Sequence, residues 1–206
     1  MELGIKNKLA LITASGRGIG KTVARTLARE GASVILNARS LKELEKLNLE
    51  LSGFGVKSWF FCYDLTLPDG PGELFNFLQK NQLYPDILVH NLGGNLGVTE
   101  PLCSLADWQK VQRMNLEVPI ELNRLLIPFM QKKQWGRICH VASISGLENQ
   151  GPPSYCVAKA GLIAYTRSIG RYFAKDGIVI NSVLPGAVFT EGGYWDEASR
   201  TRPSHV

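Results

Sequence analysis

Short apolar runs alternate along the chain with stretches in which apolar residues recur every three or four positions. Leu9 to Thr13 reads as a strand, followed by a glycine-rich turn and a helix carrying Ile19, Val23 and Leu27 on one face, closed by Gly31 as its C-terminal cap. Ser33 to Asn37 predicts a second strand. Ser40 and Glu43 then form S-x-x-E, a capping box that starts a helix with Leu44, Leu47 and Leu51 facing inward. Trp59 to Tyr63 and Asp86 to His90 predict the third and fourth strands. Ser104 is expected to cap a long helix through Asn115 towards Met130, bent at Pro119, which has no N–H to give its turn. Arg137 to Val141 predicts the fifth strand, Ser154 to Ala174 a helix, and Ile178 to Val183 the sixth strand. This order predicts an α/β fold: a doubly wound parallel sheet with helices on both faces and its ligand at the carboxyl ends of the strands, where strand order reverses.

At 206 residues, 45% hydrophobic and 20% charged, the chain fits one domain over residues 1–206. No apolar run reaches membrane-spanning length and Met1 to Lys8 lacks a secretory core, so no membrane partner and a cytoplasmic location are expected. Cys62, Cys103, Cys139 and Cys156 show no CxxC spacing; Cys62 and Cys139 fall in strand-like runs and are expected as buried, reduced thiols. The net charge is +5, but the basic residues are interspersed with acids, which argues against nucleic acid. A polyphosphorylated cofactor accounts for a few of them. His90, His140 and His205 lack metal-ligand spacing and are expected to be structural or on the surface, with no metal.

Thr13-Ala14-Ser15-Gly16-Arg17-Gly18-Ile19-Gly20 joins strand to helix, so its backbone N–H groups and the helix dipole face an anionic pyrophosphate. Gly20-Lys21-Thr22 also resembles the end of a Walker A loop. That motif requires glycine where Ser15 stands, and a strand ending in Asp where the fourth ends in His90-Asn91, which disfavours a triphosphatase. After the second strand, Asn37-Ala38-Arg39 offers no carboxylate for a ribose 2′-hydroxyl. Arg39 and Arg17 favour a 2′-phosphate, hence NADP(H), with NAD(H) left open; both as solvated surface residues is the bland alternative.

Tyr155 and Lys159 are four residues apart on one helix face, with Ser143 twelve residues before the tyrosine. A free phenol titrates near pH ~10, so acting near neutrality requires roughly 4 kcal/mol of differential stabilisation. An adjacent ammonium in a dry cleft is expected to supply it. The pair therefore points to proton transfer at a carbonyl or alcohol oxygen.

Taken in order, these motifs resemble those of the short-chain dehydrogenase/reductase family over essentially the whole chain. The glycine turn is similar to the family's T-G-x-x-x-G-x-G, Asp64-Leu65 to its acid after the third strand, and His90-Asn91-Leu92-Gly93 to its N-N-A-G. Asn115 falls on its helix asparagine, Ser143, Tyr155 and Lys159 on its serine, tyrosine and lysine, and Pro185-Gly186 with Val188 and Thr190 on P-G-x-x-x-T. The resemblance implies a Rossmann fold and hydride transfer between a nicotinamide and a carbonyl or secondary alcohol. It implies Tyr155 as acid or base, Ser143 orienting the reacting oxygen, Lys159 holding the ribose and depressing the tyrosine pKa, and Asn115 placing a water. Cofactor contacts are implied at Ser15, Arg17, Gly18, Ile19, Gly20, Asn37, Arg39, Asp64, Leu65, Asn91, Gly93, Tyr155, Lys159, Pro185, Gly186, Val188 and Thr190.

The resemblance is most generically to 3-oxoacyl-carrier-protein reductases, so a 3-oxoacyl thioester leads, with a keto sugar or secondary alcohol behind it. The loop from Ile144 to Ser154 is expected to wall one side of the substrate pocket, and Asn95, Leu96, Tyr194 and Trp195 the other. Ala14 replaces the family's first glycine, so its backbone is expected to avoid positive φ. After Thr190 the family continues with a lid, a helix and a seventh strand, so the sequence is expected to break off before a flexible segment; a true truncation would leave the sixth strand as an exposed edge. The family also implies a homodimer or homotetramer. A non-catalytic NADPH-binding sensor or scaffold is the competing function.

Overall fold

In the computed structural model, which describes residues 3–148, 150–190 and 194–201, the six apolar runs form one parallel sheet. The strands are β1 (Leu9–Ile12), β2 (Ser33–Ala38), β3 (Ser58–Cys62), β4 (Ile87–His90), β5 (Gly136–Val141) and β6 (Ile178–Val183), in the order β3-β2-β1-β4-β5-β6. Between β1 and β4 the order reverses, so loops after both strands turn away from each other and leave a crevice at the carboxyl edge. This is the doubly wound architecture expected from the sequence.

Helices cover both faces: α1 (Gly18–Arg29), α2 (Leu41–Ser52), α3 (Gly70–Lys80), α4 (Leu105–Gln112), α5 (Val118–Lys133), a short α6 (Ser145–Glu148), α7 (Pro153–Phe173) and α8 (Tyr194–Thr201). The two-residue period of each strand divides the core. Ala10, Ile12, Val34, Leu36 and Val89 pack with Ala24, Ala28, Leu44, Leu47 and Leu51 of α1 and α2. Leu11, Ile35, Leu88 and Ile138 pack on the other face with Leu74 and Leu78 of α3 and Val118, Leu122 and Met130 of α5. Ser40 caps α2, its hydroxyl accepting from the Glu43 N–H at 3.4 Å, and Ser104 caps α4 in the same way from Asp107 at 3.1 Å. Among the described residues no helix is long and apolar enough to cross a membrane.

Several local expectations give way. On α1 the sheet contact is made by Gly20, Ala24 and Ala28, with Val23 and Leu27 half-buried at its flanks, because small residues let the helix approach closely. Helix α3 was not signalled by a strong period; Pro71 in its first turn and the buried Leu74 and Leu78 explain it. The long helix expected from Ser104 does not bend at Pro119, which lies in the first turn of α5, where no N–H is needed. It is interrupted instead by a π-helical segment, Arg113–Glu117. Arg113 pins that segment, donating to the Thr66 and Leu67 carbonyls at 3.3 and 3.2 Å and pairing with Glu121. All four cysteines are free, but Cys62 is exposed and Cys139 only half-buried; Cys156 is the buried one. Cys62 ends β3 at the sheet's edge, where the residue is exposed and its thiol donates to the Arg39 carbonyl at 3.4 Å.

His90 and His140 are paired across β4 and β5, both buried and facing α5 and α7. Their rings stack at 4.8 Å. Asn123 bridges them, 2.8 Å from His90 Nε2 and 3.0 Å from His140 Nε2, and Thr166 lies 2.9 Å from His140 Nδ1. Both are buried and held by neighbouring side chains; His205 lies outside the described residues. Burial pushes His90 down to about 4 and His140 well below its ordinary value, the latter helped by the charges of His90 and Lys159. The unfolded chain therefore takes up protons near pH ~6.5 that the folded one refuses, so stability is full above that pH and is lost as pH falls towards 4. For His90 the loss amounts to about 3 kcal/mol. Urea midpoints should fall between pH 7 and 5.5, before carboxylates titrate; a flat midpoint over that interval would show that the imidazoles are not held neutral.

Candidate active site

The glycine turn is built around contacts that aim its backbone rather than its side chains. Ser15 is fully buried, donating its N–H to the Asn37 carbonyl at 2.8 Å and accepting the Asn37 N–H on its hydroxyl at 3.0 Å. Ala14 adopts φ 50°, against expectation. A left-handed alanine costs roughly 1–2 kcal/mol; its neighbours impose it, since Ser15 is locked to β2 and the Ala14 carbonyl accepts from Asn91 Nδ2 at 3.0 Å. Gly20 is required sterically, because a Cβ there would lie 2.5 Å from Asn91 Nδ2 and 2.6 Å from the Ala14 oxygen. Thr13 completes the joint, its hydroxyl accepting the N–H groups of Asn91 and Leu92 at 3.0 and 3.1 Å.

A cavity of about 1160 Å³ opens beside this turn. Of the expected cofactor residues, Arg17, Gly18, Ile19, Asn37, Arg39, Asp64, Leu65, Asn91, Gly93, Tyr155, Lys159, Pro185, Gly186, Val188 and Thr190 line it, as does Ser143. Ser15, Gly20 and Asn115 stand behind its wall. Ionic lining comprises Arg17, Lys21, Arg25, Arg39, Lys46 and Lys159 against Glu43 and Asp64, six cations to two anions. With the N-terminus of α1, which has no acidic residue in its first turn, this field fits a polyphosphorylated dinucleotide. Lys21, Arg25 and Lys46 were missed from sequence; they recur at four-residue spacing from the turn on α1, or on the facing turn of α2.

At the β2 end, Arg39 is 71% exposed and approaches Asp64 only at 3.5 Å, leaving most of its donors open to the cavity. Asn37 turns its amide to the Phe61 and Tyr63 carbonyls, tying β2 to β3. Burial works to raise Asp64, but hydrogen bonds from the Thr66 hydroxyl and N–H, with Arg39 beside it, carry it below the usual carboxylate range.

At the other end, Lys159 is buried, its Nζ donating to the Val141 carbonyl at 2.8 Å and lying 5.6 Å from the Tyr155 ring centre. A Cβ on Gly93 would lie 2.9 Å from both Lys159 Nζ and Asn115 Oδ1, so only glycine leaves room there. Asn115, in the π-helical segment, commits both amide protons, to the Gly94 and Val111 carbonyls at 2.8 Å, and accepts the Gly94 N–H at 3.0 Å. Its side chain thus holds the post-β4 loop. Ser143 accepts from the Ser145 N–H and donates to the Ser145 hydroxyl, both at 3.1 Å, and lies near enough to Tyr155 to act on its pKa. The pKa of Tyr155 is not lowered as expected: burial raises it, and Ser143 only partly offsets that. Lys159, from which that lowering was expected, is itself brought down to about 8 by burial. Near neutrality the lysine stays charged and the phenol protonated.

No described residue of the stretch from Ile144 to Ser154 lines this cavity; Ser145–Glu148 folds back as α6 against α7. Asn95 and Leu96 are not among the lining residues, whereas Leu92, Met114, Val141, Ala142 and Phe189 are. The side chains of Tyr194 and Trp195 lie outside the described residues.

A family model for short chain dehydrogenases matches residues 8–197. The 3-oxoacyl-[acyl-carrier-protein] reductase FabG of Aquifex aeolicus is 31% identical over 193 residues, 93% of this chain and 78% of that protein. The D-beta-hydroxybutyrate dehydrogenase of Cupriavidus necator is 30% identical, covering 90% of this chain and 72% of its own. Among solved structures, L-sorbose reductase from Gluconobacter frateurii, complexed with NADPH and L-sorbose, superposes with TM-score 0.90 at 30% identity, over 98% of this chain and 78% of that one. Sheet order, a basic crevice at the switch point and these likenesses agree: the chain belongs to the short-chain dehydrogenase family, oxidoreductases that act on carbonyl or alcohol groups with a nicotinamide cofactor.

Proposed function

We propose that the protein is an NADP(H)-dependent, single-domain carbonyl reductase or alcohol dehydrogenase working in the cytoplasm, with a 3-oxoacyl thioester or keto-sugar-like substrate. The observation that carries the reading is the convergence of Ser143, Tyr155 and Lys159 at one end of the basic cavity, with Gly93 directly against the lysine. A bound NADPH supplies the hydride. Ser143 orients the substrate oxygen, and the protonated Tyr155 gives that oxygen its proton. Lys159, cationic near neutrality, stabilises the phenolate left behind and holds the ribose. Asn115 acts at one remove, fixing Gly94 and the loop over the lysine. The substrate classes are those named for the FabG and L-sorbose reductase relatives.

Preference for the 2′-phosphate rests on Arg39 and Arg17 and on the absence of a carboxylate at the end of β2; Asp64, Leu65, Asn91 and the Pro185–Thr190 segment complete the cofactor contacts. A homodimer or homotetramer is supported by apolar side chains left exposed on the helices, Leu105 of α4 and Val157 and Tyr172 of α7.

Arg39→Ala should raise KM for NADPH about tenfold, the loss of one charged hydrogen bond, with little change for NADH; equal effects on both would remove the NADP(H) assignment. Tyr155→Phe should lower kcat by about 10² or more against a panel of oxoacyl thioesters and keto sugars while NADPH still binds. A phenylalanine variant that keeps most of the parent rate would exclude Tyr155 as the acid. Because Lys159 is depressed from 10.5 to about 8, the unfolded chain holds a proton between those values that the folded one gives up. Its burial costs about 3 kcal/mol below pH 8, and the cost fades as pH rises to 10.5. Lys159→Met should therefore abolish turnover yet be at least as stable as the parent at pH 7; a large drop in its urea midpoint would contradict this.

A further inference from the structure

We propose that His140 is a positioning residue: through Asn123 and Thr166 it sets the height and rotation of α7 against β5, and so where Tyr155 and Lys159 stand. The inference rests on the reading of that pair as proton donor and cationic neighbour.

The direction of every bond in the network follows from one proton. The Thr166 hydroxyl donates to the Leu162 carbonyl at 2.6 Å, so its oxygen accepts from His140 Nδ1, which must carry the imidazole proton. His140 Nε2 is then bare and accepts from Asn123 Nδ2, whose second proton points to the Tyr165 hydroxyl at 3.3 Å. Asn123 Oδ1 accepts in turn from His90 Nε2–H. The chain runs from β4 through α5 and β5 to α7 with a single polarity. Reversing one link would set donor against donor or acceptor against acceptor inside the core, where no water is at hand to satisfy either.

Lys159 and Thr166 are seven residues apart on one face of α7, and they meet consecutive residues of β5, Val141 and His140. Two directional anchors about 10 Å apart along the axis prevent the helix from turning or sliding. Apolar packing alone resists separation better than it resists sliding. Asn123 lies on α5, which follows the π-helical segment that carries Asn115, so both site-bearing helices are indexed to one hub. His140 is buried and does not line the cavity, hence its action is indirect. The titratable or charged groups facing it among the described residues are His90 from β4 and Lys159 and Tyr165 from α7; α5 contributes only the neutral amide of Asn123.

Thr166→Val removes the acceptor for His140 with little change of shape, whereas Thr166→Ser keeps it. In the full chain labelled with 15N at lysine Nζ, the Val variant should move the Lys159 titration away from about 8 and lower kcat about tenfold or more, with KM for NADPH close to the parent's. The Ser variant should restore both. A merely structural role would lower the melting temperature without moving that titration, and a Val variant with the parent's Lys159 titration and kcat overturns the proposal. Should the Val variant not fold, imidazole 15N shifts of the parent decide: His140 protonated at Nδ1 and His90 at Nε2 are expected, and any other pair of tautomers overturns it. If the parent turns over no substrate, the oxidoreductase reading fails separately, while the Lys159 titration still tests the positioning role.

Discussion

The buried ammonium of Lys159 is the constraint to which the rest of the site answers. A lysine taken out of water must give its protons to fixed acceptors or lose its charge, and here the Val141 carbonyl at 2.8 Å is the seat. That single bond explains why residue 93 has no side chain, since any Cβ would collide with the ammonium. It also explains why the Gly93-Gly94 loop needs Asn115 to hold it from behind: a glycine loop over a charge keeps its place only if something rigid grips its backbone. The π-helical segment that presents Asn115 is in turn held by Arg113, which reaches the loop after β3, where Asp64 and Leu65 line the far end of the cavity. A requirement at one end of the crevice is thereby transmitted to the other.

The same desolvation decides the protonation states. A cation beside a phenol favours the phenolate, but burial of the phenol disfavours it more, and burial weakens the cation too. Near neutrality the outcome is a neutral phenol next to an ammonium, the arrangement suited to giving a proton to an oxygen that is gaining negative charge. A fully lowered phenol would suit the reverse direction instead.

Much of this was legible in the sequence, and what was not shares a physical cause. Strand runs such as Ser33–Ala38 and Ile178–Val183 are short and apolar, bounded by turn residues, and Leu44, Leu47 and Leu51 carry a helical period that burial reproduces. Tyr155 and Lys159 were visible because their relation is local, four residues on one helix. Contacts between distant segments were not. The positive φ of Ala14 comes from Asn37 and Asn91, more than twenty and seventy residues away, and not from alanine's own preference. The π-helical interruption depends on Arg113 meeting a loop nearly fifty residues earlier. Cys62 looked buried because its strand is apolar; that β3 is an edge of the sheet is a fact of topology.

His90 and His140 show the same limit from the other side. Read one at a time, each is an unremarkable strand-end histidine, and the absence of metal spacing leaves nothing more to say. Register makes them neighbours, with β4 and β5 pairing residue 90 with residue 140, and the two-residue period turns both towards α5 and α7. A polar layer of this kind gains little net stability over well-packed leucines and costs stability in acid. What it gains is direction, because a leucine core tolerates a helix displaced by a fraction of a turn far better than a chain of oriented protons does. In a site where a phenol and an ammonium must meet one substrate oxygen and one ribose, that intolerance is the useful property.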